Sequence, residues 1–232
     1  MSLPKLEVPT FELTLPSTGK KIKYRPFLVK EHKSLLLLKD SDDNDVARIL
    51  EEIVDTCTFK KLNASALPSF DLEFIFLNLR ARSIGETVDL LINCDCGNKI
   101  DYQMNINDVQ VKRHDDNKTK IMLSDTIGIE MRYPKFQDVM GVFMAGDQDK
   151  IMELVLSCIK AIYTTDGEYH DITVDNQAEL VEFVQDMTKE QFDMVEAFFE
   201  TMPKLVQNIE KACDKCGTMN YAKLEGLQNF FV

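Results

Sequence analysis

The chain contains no tryptophan, three histidines and only nine glycines among its 232 residues. It has no G-x-x-x-x-G-K-[ST] loop to cradle a phosphate, no dinucleotide-binding fingerprint and no G-x-S-x-G nucleophile turn. His32, His114 and His170 stand in polar surroundings (KEHKS, KRHDDNK, DGEYHD), and no H-E-x-x-H places two of them on one helix face. They read as surface residues, and paired carboxylates such as Glu51 and Glu52 read as solvated helix faces. Catalysis therefore has no visible address. No apolar run approaches the ~18 residues needed to span a bilayer, and the opening MSLPKLEVPTFEL lacks the apolar stretch of a signal peptide. The expectation is a soluble protein handled in the cytosol, with no membrane insertion and no small-molecule substrate. Basic residues are also scarce: 27 Lys and Arg face 39 Asp and Glu, a net charge of −12. Neutralising a phosphate backbone needs clustered cations, so nucleic acid is not an expected partner. The acidic residues are spread through segments such as DSDDNDVARILEE and DGEYHDITVDNQAE and read as a solubilising surface, one that permits a basic protein partner.

What the chain does have is a core and an unusual set of cysteines. Hydrophobic residues make up 44% of the sequence, enough for one or two domains. FELTLPSTGKKIKYRPF alternates Phe11, Leu13 and Leu15 before a Pro-Ser-Thr-Gly turn and Ile22 and Tyr24 after it, which predicts a hairpin. Helical spacing follows in LVKEHKSLLLL, NDVARILEEIVDTC and SFDLEFIFLNLRAR, the last entered through Ser69. KIMLSDTIGIEMRYP predicts a second hairpin turning near Asp125 and Gly128. Helices are expected again at KFQDVMGVFMA, DKIMELVLSCIKAIY, NQAELVEFVQDM and TKEQFDMVEAFFETM, with Thr188 and Gln191 spaced as a capping box. The phenylalanines of the last helix read as core, whereas the apolar ending Phe230-Phe231-Val232 suggests anchorage on this protein or on a neighbour.

Of the six cysteines, Cys57 and Cys158 sit in apolar helical runs and read as small buried hydrophobes. The other four form two close pairs, Cys94 and Cys96 in INCDCGNKIDY and Cys213 and Cys216 in ACDKCGTMNY. A glycine follows the second cysteine of each pair, and a tyrosine follows a few residues later. A knuckle of this kind supplies two thiolates, half of a tetrahedral metal sphere. The two halves of the chain also echo one another in order. LPSTGKKIKYRPF faces LSDTIGIEMRYPKF, LEEIVDTC faces IMELVLSC, FDLEFIF faces FDMVEAF, and CDCGNKIDY faces CDKCGTMNY. Four anchors in one order predict an internal duplication, with halves at 1–112 and 113–232. The expected fold is α+β, with each half a β-hairpin, helices and a cysteine-knuckle hairpin, packed about a pseudo-two-fold axis. That axis would bring Cys94, Cys96, Cys213 and Cys216 to one metal, for which structural zinc is favoured. Reduced, unliganded thiols, a disulfide or another cofactor are the other readings.

LPSTGKKIKYRPFLVKEHKSLLL, LEFIFLNLRARSIGETVDLLINCDCG and the closing CDKCG with LQNFF resemble the T4-type bacteriophage baseplate proteins associated with central-hub assembly. The most specific parts are Tyr24-Arg25-Pro26-Phe27, the segment from Leu79 to Glu86, and the two knuckles; the C-x-C of the first departs from a paired C-x-x-C pattern. The resemblance implies a contractile-tail phage, a virion structural role in the tail baseplate assembled in the host cytoplasm, other baseplate or hub proteins as partners, and no enzymatic activity. The alternative it leaves is a chaperone for hub assembly that is absent from the mature virion. Arg80, Arg82 and Glu86, within that segment, read as structural residues at a helix end.

Overall fold

The computed structural model describes residues 6–36, 43–145 and 148–226; the predicted terminal anchor Phe230-Phe231-Val232 lies outside them. The described residues form seven α-helices and eleven strands in four small sheets, an α+β architecture. Two compact units are present, one formed by Met1–Lys112 with Lys204–Val232 and the other by Arg113–Pro203. The units and the sequence halves thus differ by the stretch after Pro203, which returns to the first unit. No helix of the described residues is long and apolar enough to cross a membrane.

The first unit begins with the predicted hairpin. β1 (Phe11–Thr14) pairs with β2 (Lys21–Tyr24), Leu13 opposite Ile22. Leu13, Leu15, Ile22 and Tyr24 are buried while Glu12, Lys21 and Lys23 face out, the period-two pattern of a half-buried sheet. Then come α1 (Val29–Leu36), α2 (Asp43–Cys57) and α3 (Ser69–Ser83). α3 buries Phe70, Leu72, Ile75, Phe76, Leu77 and Leu79, so that apolar residues surround it on most sides and it forms the centre of this unit. Two expectations are corrected here. Ser69 is not the cap of α3: Pro68 stands at that position and its carbonyl accepts the Asp71 N–H at 3.0 Å, with Ser69 buried in the first turn. Glu51 is buried rather than solvated, while its neighbour Glu52 is exposed. β3 (Thr87–Asn93) and β4 (Lys99–Asn105) form a second hairpin, followed by the short β5 (Gln110–Lys112).

The second unit is one antiparallel sheet with helices around its core. β6 (Lys120–Met122), β7 (Ile127–Met131), β8 (Ile159–Thr164) and β9 (Tyr169–Asp171) pair in that order. α4 (Phe136–Ala145) and α5 (Gln148–Cys158) lie between β7 and β8 in sequence, and α6 (Gln177–Gln185) and α7 (Lys189–Thr201) follow β9. The core joins Leu123, Ile129, Met131, Val155, Cys158, Leu180, Val195 and Phe198. The stretch expected as one helix, DKIMELVLSCIKAIY, instead ends its helix at Cys158 and continues as β8. The period changes there: Ile159 and Ala161 are buried with Lys160 exposed between them, a strand pattern carried by β-branched residues. The predicted Thr188–Gln191 capping box is present, each side chain accepting the other residue's N–H. Gly128 lets the Tyr163 ring lie against the strand, because a Cβ there would fall 2.5 Å from the ring and force it to shift.

One local arrangement occurs in both units. In the first, Arg25 follows the second hairpin strand and donates its backbone N–H to the carbonyl of Cys57, the last residue of α2, at 3.0 Å. Its guanidinium donates to the Pro26 carbonyl and pairs with Glu31 at 2.8 Å, and Glu31 also accepts the Leu28 N–H at 2.8 Å. In the second, the Arg132 N–H donates to the carbonyl of Cys158, the last residue of α5, at 2.7 Å. Its guanidinium donates to the Tyr133 carbonyl and pairs with Asp138 at 3.1 Å, while Asp138 accepts the Lys135 N–H at 3.0 Å. In both places the carboxylate stands six residues after the arginine and caps the helix that follows the hairpin. The echo between LEEIVDTC and IMELVLSC marks helices that end in the same way.

Candidate metal centre

The closing hairpin, β10 (Lys204–Ala212) and β11 (Met219–Glu225), completes the first unit. β10 pairs with β5 through Lys204 opposite Lys112 and Val206 opposite Gln110, giving the sheet order β11-β10-β5. α3 packs against β10. Two hairpins far apart in sequence, β3-β4 and β10-β11, therefore belong to one body, and each carries a cysteine knuckle at its tip.

The knuckles solve the same problem with different turn lengths. After β3 the chain turns over Cys94–Asn98: the Cys94 N–H donates to the Asn98 carbonyl at 2.9 Å and the Gly97 N–H to the Cys94 carbonyl at 2.8 Å. After β10 it turns over Cys213–Thr218, one residue longer, with the Cys213 N–H on the Thr218 carbonyl and the Gly217 N–H on the Cys213 carbonyl, both at 2.8 Å. Gly97 (φ 80°) and Gly217 (φ 74°) take the left-handed conformation that closes each turn directly after its second cysteine. The shorter C-x-C thus retains the glycine position and tightens the hydrogen-bonded ring by a residue.

All four predicted sulfurs come together. Cys94 Sγ lies 3.7 Å from Cys216 Sγ, Cys96 Sγ lies 3.8 Å from Cys213 Sγ, and the four atoms all fall within 4.8 Å of one another. A tetrahedron with metal–sulfur bonds of about 2.3 Å has edges of about 3.8 Å, so both short separations match tetrahedral edges. They are far too long for a disulfide, which needs about 2.05 Å. All six cysteines are free thiols. The contacts cross: the first cysteine of each knuckle meets the second of the other. Burial follows the same symmetry, with Cys94 and Cys213 buried against Ile92 and Ile100 and Cys96 and Cys216 exposed.

The surroundings favour thiolate at both cysteines of the second knuckle. Backbone N–H groups of Cys216 and Lys215 pull the Cys213 thiol down to about 6, helped by Asn98, whose Nδ2 stands 3.6 Å from the sulfur. Cys216 is lowered by the Thr218 hydroxyl, 3.3 Å away. Cys96 is lowered by the Asn98 backbone N–H, but Cys216 and the other neighbouring thiols outweigh this and push it up to about 12. Four thiols this close cannot all ionise without a cation among them. Asn98 and Thr218 are the contributors that the cysteine spacing did not reveal. Their signal was their position, the residue directly after the knuckle glycine in CGN and CGT.

The donor set is therefore four soft sulfurs close enough to share one ion. Among the described residues this is the one group of three or more Cys, His, Asp or Glu side chains placed to hold a metal. The histidines and the two isolated cysteines lie where the sequence placed them. His32, His114 and His170 are exposed, and Cys57 and Cys158 are fully buried. Arg82 pairs with Glu86 at 2.7 Å and stacks over Phe11, and the Ile84 N–H closes α3 on the Arg80 carbonyl, whereas the Arg80 side chain carries a buried Nη1 with no hydrogen-bond partner among the described residues.

The sequence model of a protein family described as T4 bacteriophage base plate protein matches residues 8–232. No curated protein and no solved structure matches the chain.

Proposed function

The chain belongs to the T4 bacteriophage base plate protein family, and from that membership we propose that it is a non-enzymatic structural or assembly subunit of a contractile-tail baseplate hub. It works through contacts with other baseplate proteins and is assembled in the host cytoplasm. The observation that carries this reading is a family match over nearly the whole chain, residues 8–232.

Within that role, Cys94, Cys96, Cys213 and Cys216 hold one structural zinc. The tetrahedral sulfur spacing supports this assignment. Zinc would supply binding free energy that is realised only when both hairpins are folded and adjacent, so ligation and folding are coupled. The halves 1–112 and 113–232 are copies of one module, with their knuckles related by a local two-fold axis through the sulfurs. Support comes from the crossed sulfur contacts, from the matching burial of Cys94 with Cys213 and Cys96 with Cys216, and from the repeated arginine junction.

The functional reading is tested by purifying the tagged chain from infected cells, identifying what co-elutes, and measuring its peptides in purified virions. Co-elution with hub proteins and virion peptides at the level of other baseplate proteins support a resident subunit. Co-elution without virion peptides would assign the transient chaperone instead. Loss of both would overturn the baseplate role. Metal analysis of the same preparation should return about one zinc per chain.

A further inference from the structure

The chain's acidity is not shared between its two units. Arg113–Pro203 contains 8 Lys and Arg against 19 Asp and Glu, a net of −11, whereas the rest of the chain contains 19 against 20. In the second unit the charge gathers around α6 and α7: Glu179, Glu182, Asp186 and Glu190 are exposed, as is Asp125 in the β6–β7 turn. None of these five makes an ion pair with the described residues, in contrast to Asp193 and Glu196, which share Lys189. Uncompensated like charges on one surface cost stability through self-repulsion, so their concentration calls for a reason beyond solubility.

An apolar groove lined in part by one of them, Asp186, opens between the hairpin and the α6–α7 corner. It has a volume of about 160 Å³, with Leu123 and Ile127 from the hairpin on one side, Phe183 and Met187 from the α6–α7 corner on the other, and Asp186 at its rim. Its walls are fixed rather than loose. Gln191 donates from Nε2 to the Leu123 carbonyl at 3.1 Å and accepts the Thr188 N–H, which ties the corner to the hairpin. Ser124 accepts the Ile127 N–H at 3.1 Å and shapes the turn.

We infer that this groove of the second unit docks a basic amphipathic segment of a partner protein, an apolar side chain entering between Ile127 and Met187 while flanking lysines or arginines meet Asp186, Glu182 and Glu190. The inference rests on the reading of the chain as an assembly subunit and names the chemistry of its partner. Charge decides among occupants. A second copy of this unit would bring another −11 to the contact, and nucleic acid and anionic lipid would likewise be repelled. A cationic protein segment gains attraction at the rim and burial in the groove, the combination that steers encounter and then holds the complex.

The test uses the full chain and two synthetic helical peptides of identical lysine content, one with leucines along one face and the other with glutamines in their place. Fluorescence anisotropy at physiological salt should show the leucine peptide binding about 10-fold more tightly than the glutamine peptide. Asp186→Lys combined with Glu190→Lys should weaken both peptides about 10-fold, while Ile127→Gln should abolish the leucine advantage and leave the glutamine peptide unchanged. These positions are exposed, and circular dichroism checks that each variant is folded. Equal binding of the two peptides, or an equal loss on reversing Glu12 and Asp101 in the first unit, would overturn the inference by reducing it to a diffuse charge effect. That result would leave the co-purification outcome, and with it the baseplate reading, untouched.

Discussion

The arginine junctions of the two units have the same connectivity in different surroundings. Arg25 and Glu31 have side chains only 9% and 5% exposed, whereas those of Arg132 and Asp138 are 32% and 22% exposed. The hydrogen bonds are set by local chain geometry: an arginine leaving a strand, a helix ending in cysteine, and a carboxylate at the third position of the next helix. Their energetic weight is set by water. A buried pair left without one partner strands a charge in a poor dielectric, and a half-exposed pair left the same way is rescued by solvent. The knuckles provide the opposite comparison, since there the two halves each bring two thiols to one cluster of four.

The largest effect should come from breaking that shared centre. Cys94→Ser and Cys213→Ser are each expected to remove the zinc and to destabilise the first unit by similar amounts, a large share of the roughly 10 kcal/mol that structural zinc contributes in small modules. The double variant should cost little more than either single one, because both act on the same ion. Metal content and urea midpoints measure this. Zinc retained by Cys94→Ser but lost in Cys213→Ser would mean that the C-x-C knuckle does not ligate.

Next in size is the contrast between the junctions. Glu31→Gln should cost about 3 kcal/mol by leaving the buried Arg25 without a counter-charge, and Asp138→Asn about 1 kcal/mol or less. Equal costs in denaturant unfolding would show that burial does not set the difference. Acid adds a sharper version. Burial pushes the Glu31 carboxyl up, but its hydrogen bonds to Arg25 and the Leu28 N–H prevail and hold it below the usual carboxylate range. A depressed folded value means that the stabilisation is present above the unfolded carboxyl pKa of about 4.3 and is lost as pH falls through the folded value. The stability gap between wild type and Glu31→Gln should therefore be full at neutral pH and shrink in acid. Asp71 is expected to behave oppositely. Burial raises it despite the Ser17 hydrogen bonds, so its contribution is greatest below the unfolded pKa of about 3.9 and declines as pH rises through the folded value.

The smallest effects belong to the matched cysteines that bind nothing. Cys57 and Cys158 are fully buried, and burial pushes each thiol up to about 11. Each Cys→Ser change should cost about 1–2 kcal/mol for placing a hydroxyl in a packed core, leave zinc content intact, and act alike in the two units. Iodoacetamide should modify neither thiol in the folded protein at neutral pH. A markedly larger loss at one of them would break the equivalence of the two helix ends.

Much of this was readable from residue order. Alternation gave the hairpins through Leu13 and Ile22 and through Ile129 and Met131, and the glycine after each cysteine pair pointed to the knuckles and so to the thiol cluster. What escaped was non-local or depended on small differences in period. The step from α5 to β8 falls between Cys158 and Ile159, ahead of IKAIYT, whose apolar residues suit either state until Arg132 takes the Cys158 carbonyl. The pairing of β5 with β10 joins residues across the whole second unit, and no local pattern announces it. Arg25 follows β2 and Glu31 stands in α1, so their partnership crosses from one element to the next and no single local pattern shows it. The acidic surface was legible as composition but not as location, because the grouping of Arg113–Pro203 appears only once Lys204–Val232 is seen to return.

That return has a consequence for how the protein is made. Strands β10 and β11 leave the ribosome after the entire second unit, so the opening segment must wait, lacking one sheet and half of its thiol cluster, while Arg113–Pro203 can already fold. The first unit closes a contact between cysteines 117 positions apart, late and by a slow, non-local search. Its stability is thus settled only once β10 and β11 have joined the opening segment.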